Sequence, residues 1–231
     1  MKKLNDLYDY GLKIYQDTDF FKFSLDSILL AEYTSLHKKD RIIDLCTGNA
    51  PIPMILSTKY DNKIIGIELQ KEIYEHAIDS VVYNKLENQI QIINDNVKNV
   101  NNYFPGNNFD VITCNPPYFR YNGKSLVNKD EIKSISRHEI YINLDELVDV
   151  IDYLIKDNGK IYMVYQAQRI MELSYKLGLK TINIKEVVFV ITNDTNSINM
   201  VLIKAVKNSK SDTKIKYIDI RGLDTYKNIV W

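Results

Sequence analysis

The amino-acid sequence predicts an α/β fold: a mostly parallel, seven-stranded sheet with helices on both faces and an antiparallel last strand. Two observations carry this expectation. Short β-branched runs alternate with helical stretches after residue 40, the pattern of parallel strands joined by crossover helices. Near the end, Val187 to Ile191 and Met200 to Val206 flank the polar stretch Asn193-Asp194-Thr195-Asn196. Two apolar runs joined in this way form a hairpin, so the last strand runs against its neighbour.

The elements follow in order. Ile42-Ile43-Asp44-Leu45 reads as the first strand and leads into a glycine-containing turn. Pro51 to Leu56 opens a helix whose prolines are tolerated because they sit in its first turn. Ile64 to Glu68 is the second strand, followed by a helix from Lys71 to Asn84; Ile90 to Ile93 is the third strand and Phe109 to Cys114 the fourth. Asn143 with Glu146 predicts a capping box for a helix carrying Leu144, Leu147, Val148, Ile151 and Leu154 on one face, stopping at Asp157-Asn158-Gly159. Ile161 to Tyr165 is the fifth strand, and Ile170 to Leu177 a helix closed by Gly178. Residues 1–40 stand apart as an N-terminal cap segment, with Ser24 or Asp26 capping a helix through Ile28-Leu29-Leu30-Ala31. Residues 41–207 form the core, and residues 208–231 a basic tail. The longest connection, Tyr118 to Asn143, has the length of a functional loop.

Composition narrows the classes. The 231 residues are 45% apolar and carry 30 Lys+Arg against 30 Asp+Glu, which suits one large folded domain and excludes a disordered chain. No apolar run approaches the ~18 residues of a membrane span. Met1-Lys2-Lys3-Leu4-Asn5-Asp6 leads into no apolar stretch of the kind a secretory signal needs. Cys46 and Cys114 are too few for a zinc site or a disulfide framework and read as small buried hydrophobes. A cytoplasmic protein with no membrane or metal partner is expected. Zero net charge argues against a dedicated nucleic-acid coat. The charge is uneven, however. Arg120, Lys124, Lys129, Lys133 and Arg137 outnumber Asp130 and Glu131, and seven basic residues from Lys204 to Lys227 outnumber three aspartates. Such segments suit a polyanion held at one face; solvated loops and a tail account for them equally well.

In an open parallel sheet, ligands bind beyond the carboxyl ends of the strands. Four motifs fall there. Asp44-Leu45-Cys46-Thr47-Gly48-Asn49-Ala50 follows the first strand; Gly48 lets backbone approach a ligand, and the next helix start favours a carboxylate. Its single glycine is not the dinucleotide fingerprint, which argues against a nicotinamide dehydrogenase. Glu68 ends the second strand, where an acid accepts hydrogen bonds from ribose hydroxyls. Asn94-Asp95-Asn96 ends the third, where a carboxylate can accept from an adenine amine; an Asx-rich turn is the plain alternative. Asn115-Pro116-Pro117-Tyr118 ends the fourth. Its prolines fix φ, and the residue before a proline is held extended, which aims Asn115. The Asn115 side-chain oxygen and the Pro116 carbonyl form a pair of acceptors, and Tyr118 offers a face for a planar group.

Asn-Pro-Pro-Tyr after the fourth strand, with acids after strands one to three, resembles the class I (Rossmann-like) S-adenosylmethionine-dependent methyltransferases that act on exocyclic or amide nitrogens. Ile14-Tyr15-Gln16, Phe21-Lys22-Phe23-Ser24-Leu25-Asp26-Ser27-Ile28-Leu29-Leu30 and Ser136-Arg137-His138-Glu139 narrow the resemblance. They are similar to the bacterial valine-tRNA adenine-N(6) methyltransferases, which modify the adenine 3′ of the anticodon at position 37. The likeness runs from Leu4 to Lys207. Cys46 and Ala50 stand where that family usually has glycine.

The resemblance implies S-adenosylmethionine as cofactor and tRNA as partner. It implies catalysis by Asn115, Pro116, Pro117 and Tyr118. The cofactor would lie on Phe23, Asp26, Asp44, Thr47, Gly48, Asn49, Glu68, Asp95, Asn96 and Asn115. Asp44 would meet its methionine amine, Glu68 its ribose and Asp95 its adenine. The RNA would meet Tyr118, Phe119, Arg137, Lys2 and Lys3. Related enzymes acting on release-factor glutamine, DNA or ribosomal RNA, and a non-catalytic RNA-binding version of the fold, are the alternatives.

Overall fold

The structure is a computed structural model that describes residues 2–17, 25–117, 142–192, 198–210, 212–223, 225–227, 229 and 231. It opens with two strands, β1 (Lys2–Asp6) and β2 (Lys13–Asp17), paired antiparallel as a separate ribbon. Helix α1 (Leu25–Tyr33) follows. The crossover units are β3 (Ile42–Leu45), α2 (Pro51–Ser57), β4 (Ile64–Glu68), α3 (Lys71–Tyr83), β5 (Ile90–Asn94) and β6 (Phe109–Cys114). Next come α4 (Leu144–Leu154), β7 (Ile155–Gln166), α5 (Ile170–Gly178), β8 (Ile182–Ile191), β9 (Met200–Lys207) and β10 (Lys214–Asp219).

One sheet takes the last eight strands in the order β10-β8-β9-β7-β6-β3-β4-β5. β9 runs antiparallel to both β7 and β8, and every other neighbouring pair is parallel. The α/β class, the seven expected strands and the reversed β9 are therefore present, with two corrections. The sheet has an eighth strand, because Lys214–Asp219 pairs with β8 rather than trailing off as part of a tail. The helix expected to run to Gly159 ends at Leu154, and the chain passes straight into β7. Asn158 takes a left-handed turn (φ 59°), and the pairing register with β6 shifts between Phe109 and Val111. The chain thus bends within the strand rather than at a helix end. The capping box forms as predicted: Glu146 N donates to Asn143 Oδ1 at 2.9 Å, and Asn143 N donates to Glu146 Oε2 at 3.0 Å.

Strand side chains point alternately to the two faces. Ile43, Leu45, Ile112, Cys114, Ile161 and Met163 pack with α4 and α5 on one side. Ile42, Val111, Tyr162 and Val164 pack with α1, α2 and α3 on the other. Burial on both faces explains why these strands read as continuous apolar runs.

Candidate active site

The strand order positions the site. From β3 the chain builds outward through β4 and β5, then returns to the opposite side of β3 with β6. This reversal opens a crevice beyond the carboxyl ends of β3 and β6. Leu45 pairs with Cys114 in the last shared register of the two strands. The turn 46–50 and the corner 115–117 therefore leave the sheet side by side, with the ends of β4 and β5 next in line.

The turn is strained and tightly held. Cys46, Gly48 and Ala50 all adopt left-handed backbone (φ 58°, 59° and 65°). That conformation costs a side-chain-bearing residue roughly 1–2 kcal/mol, so Cys46 and Ala50 carry strain at the positions where the resembled family has glycine. Hydrogen bonds offset it: Thr47 N to Ile67 O at 2.9 Å, Ala50 N to Thr47 O at 3.0 Å, and Gly48 N to Glu68 Oε2 at 2.9 Å. Asn49 Nδ2 donates to Tyr15 O at 2.7 Å, which ties the N-terminal ribbon to the turn.

Asp44 lies beneath this turn, fully buried. Thr47 Oγ1 donates to its Oδ2 and Thr113 Oγ1 to its Oδ1, each at 2.6 Å. Burial pushes its carboxyl up to about 7, against the lowering effect of the two hydroxyls. Asp44 anchors the turn from beneath: each of its oxygens accepts one hydroxyl, and the carboxyl is buried. The Thr47 hydroxyl points inward to the same bond. What the turn exposes is Gly48 and Cys46; Cys46 is half-buried, not the buried hydrophobe expected, whereas Cys114 is fully buried. A methyl group added at Gly48 would meet no atom within 4 Å, so this side of the turn is open.

Glu68 ends β4, buried, with Gly48 N on Oε2 and Gln70 N on Oε1, both at 2.9 Å. Burial raises its carboxyl to about 7, and the backbone donors pull it down. Asp95 follows β5 and is half-exposed. It accepts from Asn96 N at 2.6 Å, Asn99 Nδ2 at 2.7 Å and the Tyr103 hydroxyl at 2.7 Å. The Tyr103 hydroxyl and then the Asn99 amide hold its carboxyl below the usual range. Three of its lone-pair positions are filled, which leaves one for a ligand. The Asn96 side chain accepts from Lys98 N at 3.0 Å and so caps a short 3₁₀ turn, Val97–Asn102.

At the corner, Pro116 is buried, and Asn115 and Pro117 are half-buried. Asn115 Nδ2 donates to Ser27 Oγ at 3.0 Å. Asp26 stands beside Ser27 in the first turn of α1. Lys2 does not stand free: it pairs with Asp79 and lies 4.4 Å from the centre of the Tyr15 ring. Lys3 is exposed on β1. Phe23, Tyr118, Phe119 and Arg137 lie outside the described residues. Thr113 and Ser27 were not singled out from the sequence. A lone threonine within an apolar strand, in register with Asp44, was a usable signal for the first. Ser27 stood within a segment noticed only for its resemblance.

Among the described residues, no group of His, Cys, Asp or Glu could hold a metal ion, and no helix is long and apolar enough to cross a membrane.

A parallel sheet with one reversed strand, a tight turn after β3, acids after β4 and β5 and an Asn-Pro-Pro corner after β6 define a class I methyltransferase. Solved structures share the fold at low sequence identity. TYW2 of M. jannaschii in complex with AdoMet has a TM-score of 0.61 at 15% identity, over 89% of this chain and 85% of that one. The hMettl16 catalytic domain in complex with the MAT2A 3′UTR hairpin 1 has a TM-score of 0.63 at 16% identity, over 91% and 79%. The family model for the methyltransferase small domain matches residues 22–193, and the chain belongs to that family. Two relatives carry the name tRNA1(Val) (adenine(37)-N6)-methyltransferase. That of Cytophaga hutchinsonii is 24% identical over 188 residues, 79% of this chain and 75% of the relative. That of Flavobacterium psychrophilum is 23% identical over 204 residues, 86% of each.

Proposed function

We propose that this methyltransferase transfers a methyl group from S-adenosylmethionine to the exocyclic 6-amino group of an adenine in tRNA, at position 37 beside the anticodon of valine tRNA. The Asn115-Pro116-Pro117 corner, set beside the β3 turn, carries the reading. The named function of the relatives supports the choice of tRNA.

The residues present fit the cofactor. Glu68 is a buried carboxylate at a strand end, suited to two ribose hydroxyls once ionised; Gly48 borders open space; and Asp95 keeps one acceptor position for an adenine amine. Asp44, Thr47 and Asn49 would serve by holding the turn in shape, and Phe23, Asp26 and Asn96 by bordering the pocket. When bound, the cofactor supplies a methyl group already activated on a sulfonium, so neither a metal nor a covalent nucleophile is needed.

The chain's own task is to make a poor nucleophile attack. The lone pair of an adenine amine is delocalised into the ring. Asn115 Oδ1 and the Pro116 carbonyl would accept its two hydrogens, favouring the pyramidal nitrogen and stabilising the positive charge that develops on it. Holding that nitrogen in line is itself worth up to ~7–11 kcal/mol. Tyr118 and Phe119 would stack the extruded base, which leaves a single-stranded loop more cheaply than a duplex. Arg137, Lys3 and, on breaking its pair with Asp79, Lys2 would meet phosphates.

Incubating the protein with labelled S-adenosylmethionine and, separately, total tRNA, ribosomal RNA, DNA and a release factor tests this. Label in N(6)-methyladenosine from tRNA is expected, together with loss of that nucleoside at position 37 in a deletion strain. Label in another acceptor, or none in tRNA, overturns the reading.

A further inference from the structure

We propose that Cys46 and Cys114 form a redox couple: peroxide closes a disulfide between them, and the closed bridge loosens the cofactor turn. The inference goes beyond the functional reading above and rests on it in one respect, the binding of the cofactor at the β3 turn.

The fold brings the two thiols together. Leu45 of β3 pairs with Cys114 of β6, so Cys46 lies one residue past that pair. Neighbouring strands are about 4.8 Å apart and each residue rises about 3.3 Å, which puts the two cysteine Cα atoms about 6 Å apart, within the span of a disulfide. Cys114 lies in the core under α4 and α5, and Cys46 packs against that same core. The Cys46 thiol is within hydrogen-bonding reach of the Cys114 thiol. Their surroundings differ. Cys114 is fully buried; burial first, and then the neighbouring Cys46, pushes its thiol well above the ordinary range. Cys46 is half-buried, at the exposed side of the turn. An oxidant therefore meets Cys46 first, with Cys114 in place as the second thiol.

The chemistry balances with hydrogen peroxide as the oxidant. Cys46 Sγ attacks one peroxide oxygen, the O–O bond breaks, and water leaves with the thiol proton, giving a sulfenic acid. Cys114 Sγ attacks that sulfur, the S–O bond breaks, and the hydroxyl departs with the Cys114 proton as a second water. The two sulfurs lose two electrons and the peroxide gains them. A small dithiol reverses the step by exchange. Closing the bridge has a mechanical consequence, because its sulfurs must come to about 2.05 Å. Cys114 is fixed inside the sheet, with β3 and β7 paired on either side, so the movement falls on Cys46. In the strand order, β6 and β4 flank β3 on opposite sides. The turn hangs on β4 through Thr47 N to Ile67 O and Gly48 N to Glu68 Oε2, both at 2.9 Å. Drawing Cys46 toward β6 pulls against both bonds and separates Gly48 from Glu68, the acceptor assigned to the ribose. Cys46 also holds left-handed backbone (φ 58°), a conformation that a side-chain-bearing residue leaves readily.

The full chain, reduced and then exposed to a small molar excess of hydrogen peroxide, tests this. Mass spectrometry should show the loss of two hydrogen atoms and, after digestion, a cross-linked pair of peptides holding Cys46 and Cys114. Dithiothreitol should restore both thiols. Two free thiols after treatment, or Cys46 carried on to sulfinic acid while Cys114 stays free, overturns the couple. S-adenosylhomocysteine affinity, by calorimetry, should fall about 10- to 100-fold in the bridged protein, the scale of one hydrogen bond to a charged group, and recover on reduction. Cys46→Gly, whose new residue suits the left-handed backbone, should keep its affinity in the same peroxide, which also controls for oxidised methionine. A bridge that leaves affinity unchanged, or an equal loss in Cys46→Gly, overturns the effect on the turn. A second readout needs no ligand: the Thr47 and Gly48 amides should exchange faster with solvent in the bridged protein, and unchanged exchange counts against the loosening. Should the reduced protein bind no S-adenosylhomocysteine at all, the functional reading fails, while the cross-link and the amide exchange still decide the couple.

Discussion

Glu68 joins stability to ligand binding in a single side chain. Burial raises its carboxyl from the ordinary 4.5 to about 7. Between these values the folded protein keeps a proton that the unfolded chain has released. Stability from this group is therefore greatest below about pH 4.5, falls as pH rises through that window, and levels off above about 7. Asp44, raised to about 7 from 3.8, adds a slope of the same sign. Glu68→Gln should therefore flatten, without abolishing, the decline in unfolding free energy between pH 5 and 7, measured by urea denaturation; an unchanged slope would contradict the burial argument. Binding should run the other way. A protonated carboxyl accepts poorly, so S-adenosylhomocysteine affinity, measured by calorimetry, should rise from pH 6 to 8 in the wild type and stay flat and weaker in Glu68→Gln. At this scale the sequence was legible where a strand's end fixes a residue's place, as with Glu68 and Asn115. It was silent on partners. That Asp44 spends both oxygens on Thr47 and Thr113 depends on three elements meeting, and no spacing encodes that.

At the scale of elements, the β3 turn survives by leaning on β4 and β6. Gly66 of β4 lies opposite Asp44, and a methyl group there would come within 2.9 Å of Thr47 Oγ1 and Cγ2 and 2.8 Å of Ile92 Cδ1. Gly66→Ala should cost about 1–3 kcal/mol by overpacking and weaken cofactor binding by displacing the turn; stability and affinity at wild-type level would show that the turn yields freely. Thr113→Val keeps the shape but strips one donor from the buried Asp44. A loss of about 1–3 kcal/mol in urea denaturation is expected, as for a buried acceptor left unpaired. The strands around this turn were legible because both faces are covered and their sequences are apolar throughout. The β1–β2 ribbon and β10 were not. β1 is almost entirely exposed, and Lys214-Ile215-Lys216-Tyr217 alternates with lysines on an edge, so charge masked the strand signal. The end of α4 misled for another reason: Asn158-Gly159 is a helix-stop sequence, but the chain uses its left-handed turn inside β7.

At the scale of the whole molecule, the C-terminal segment braces the helix that reaches the site. Trp231 packs its ring 5.3 Å from Tyr33 of α1, and Ile220 is buried in the same core. β10 adds Lys216 to Glu186, which also accepts from the Tyr33 hydroxyl at 2.9 Å. Truncation after Asn208 should remove about 3 kcal/mol of apolar burial and lower Tm by roughly 6–12 °C. The β3 turn, anchored elsewhere, should still bind S-adenosylhomocysteine in the cold. A truncated chain with unchanged Tm would show that the eighth strand contributes nothing. The architecture as a whole serves one claim: the rigid corner after β6 offers two oxygens to an adenine amine beside the methyl donor. A crystal structure of the protein with S-adenosylhomocysteine and an unmodified anticodon stem-loop tests it most directly. The account predicts the adenine N6 within hydrogen-bonding distance of both Asn115 Oδ1 and the Pro116 carbonyl, facing the cofactor sulfur; a corner covered by protein, with the base held elsewhere, would contradict it.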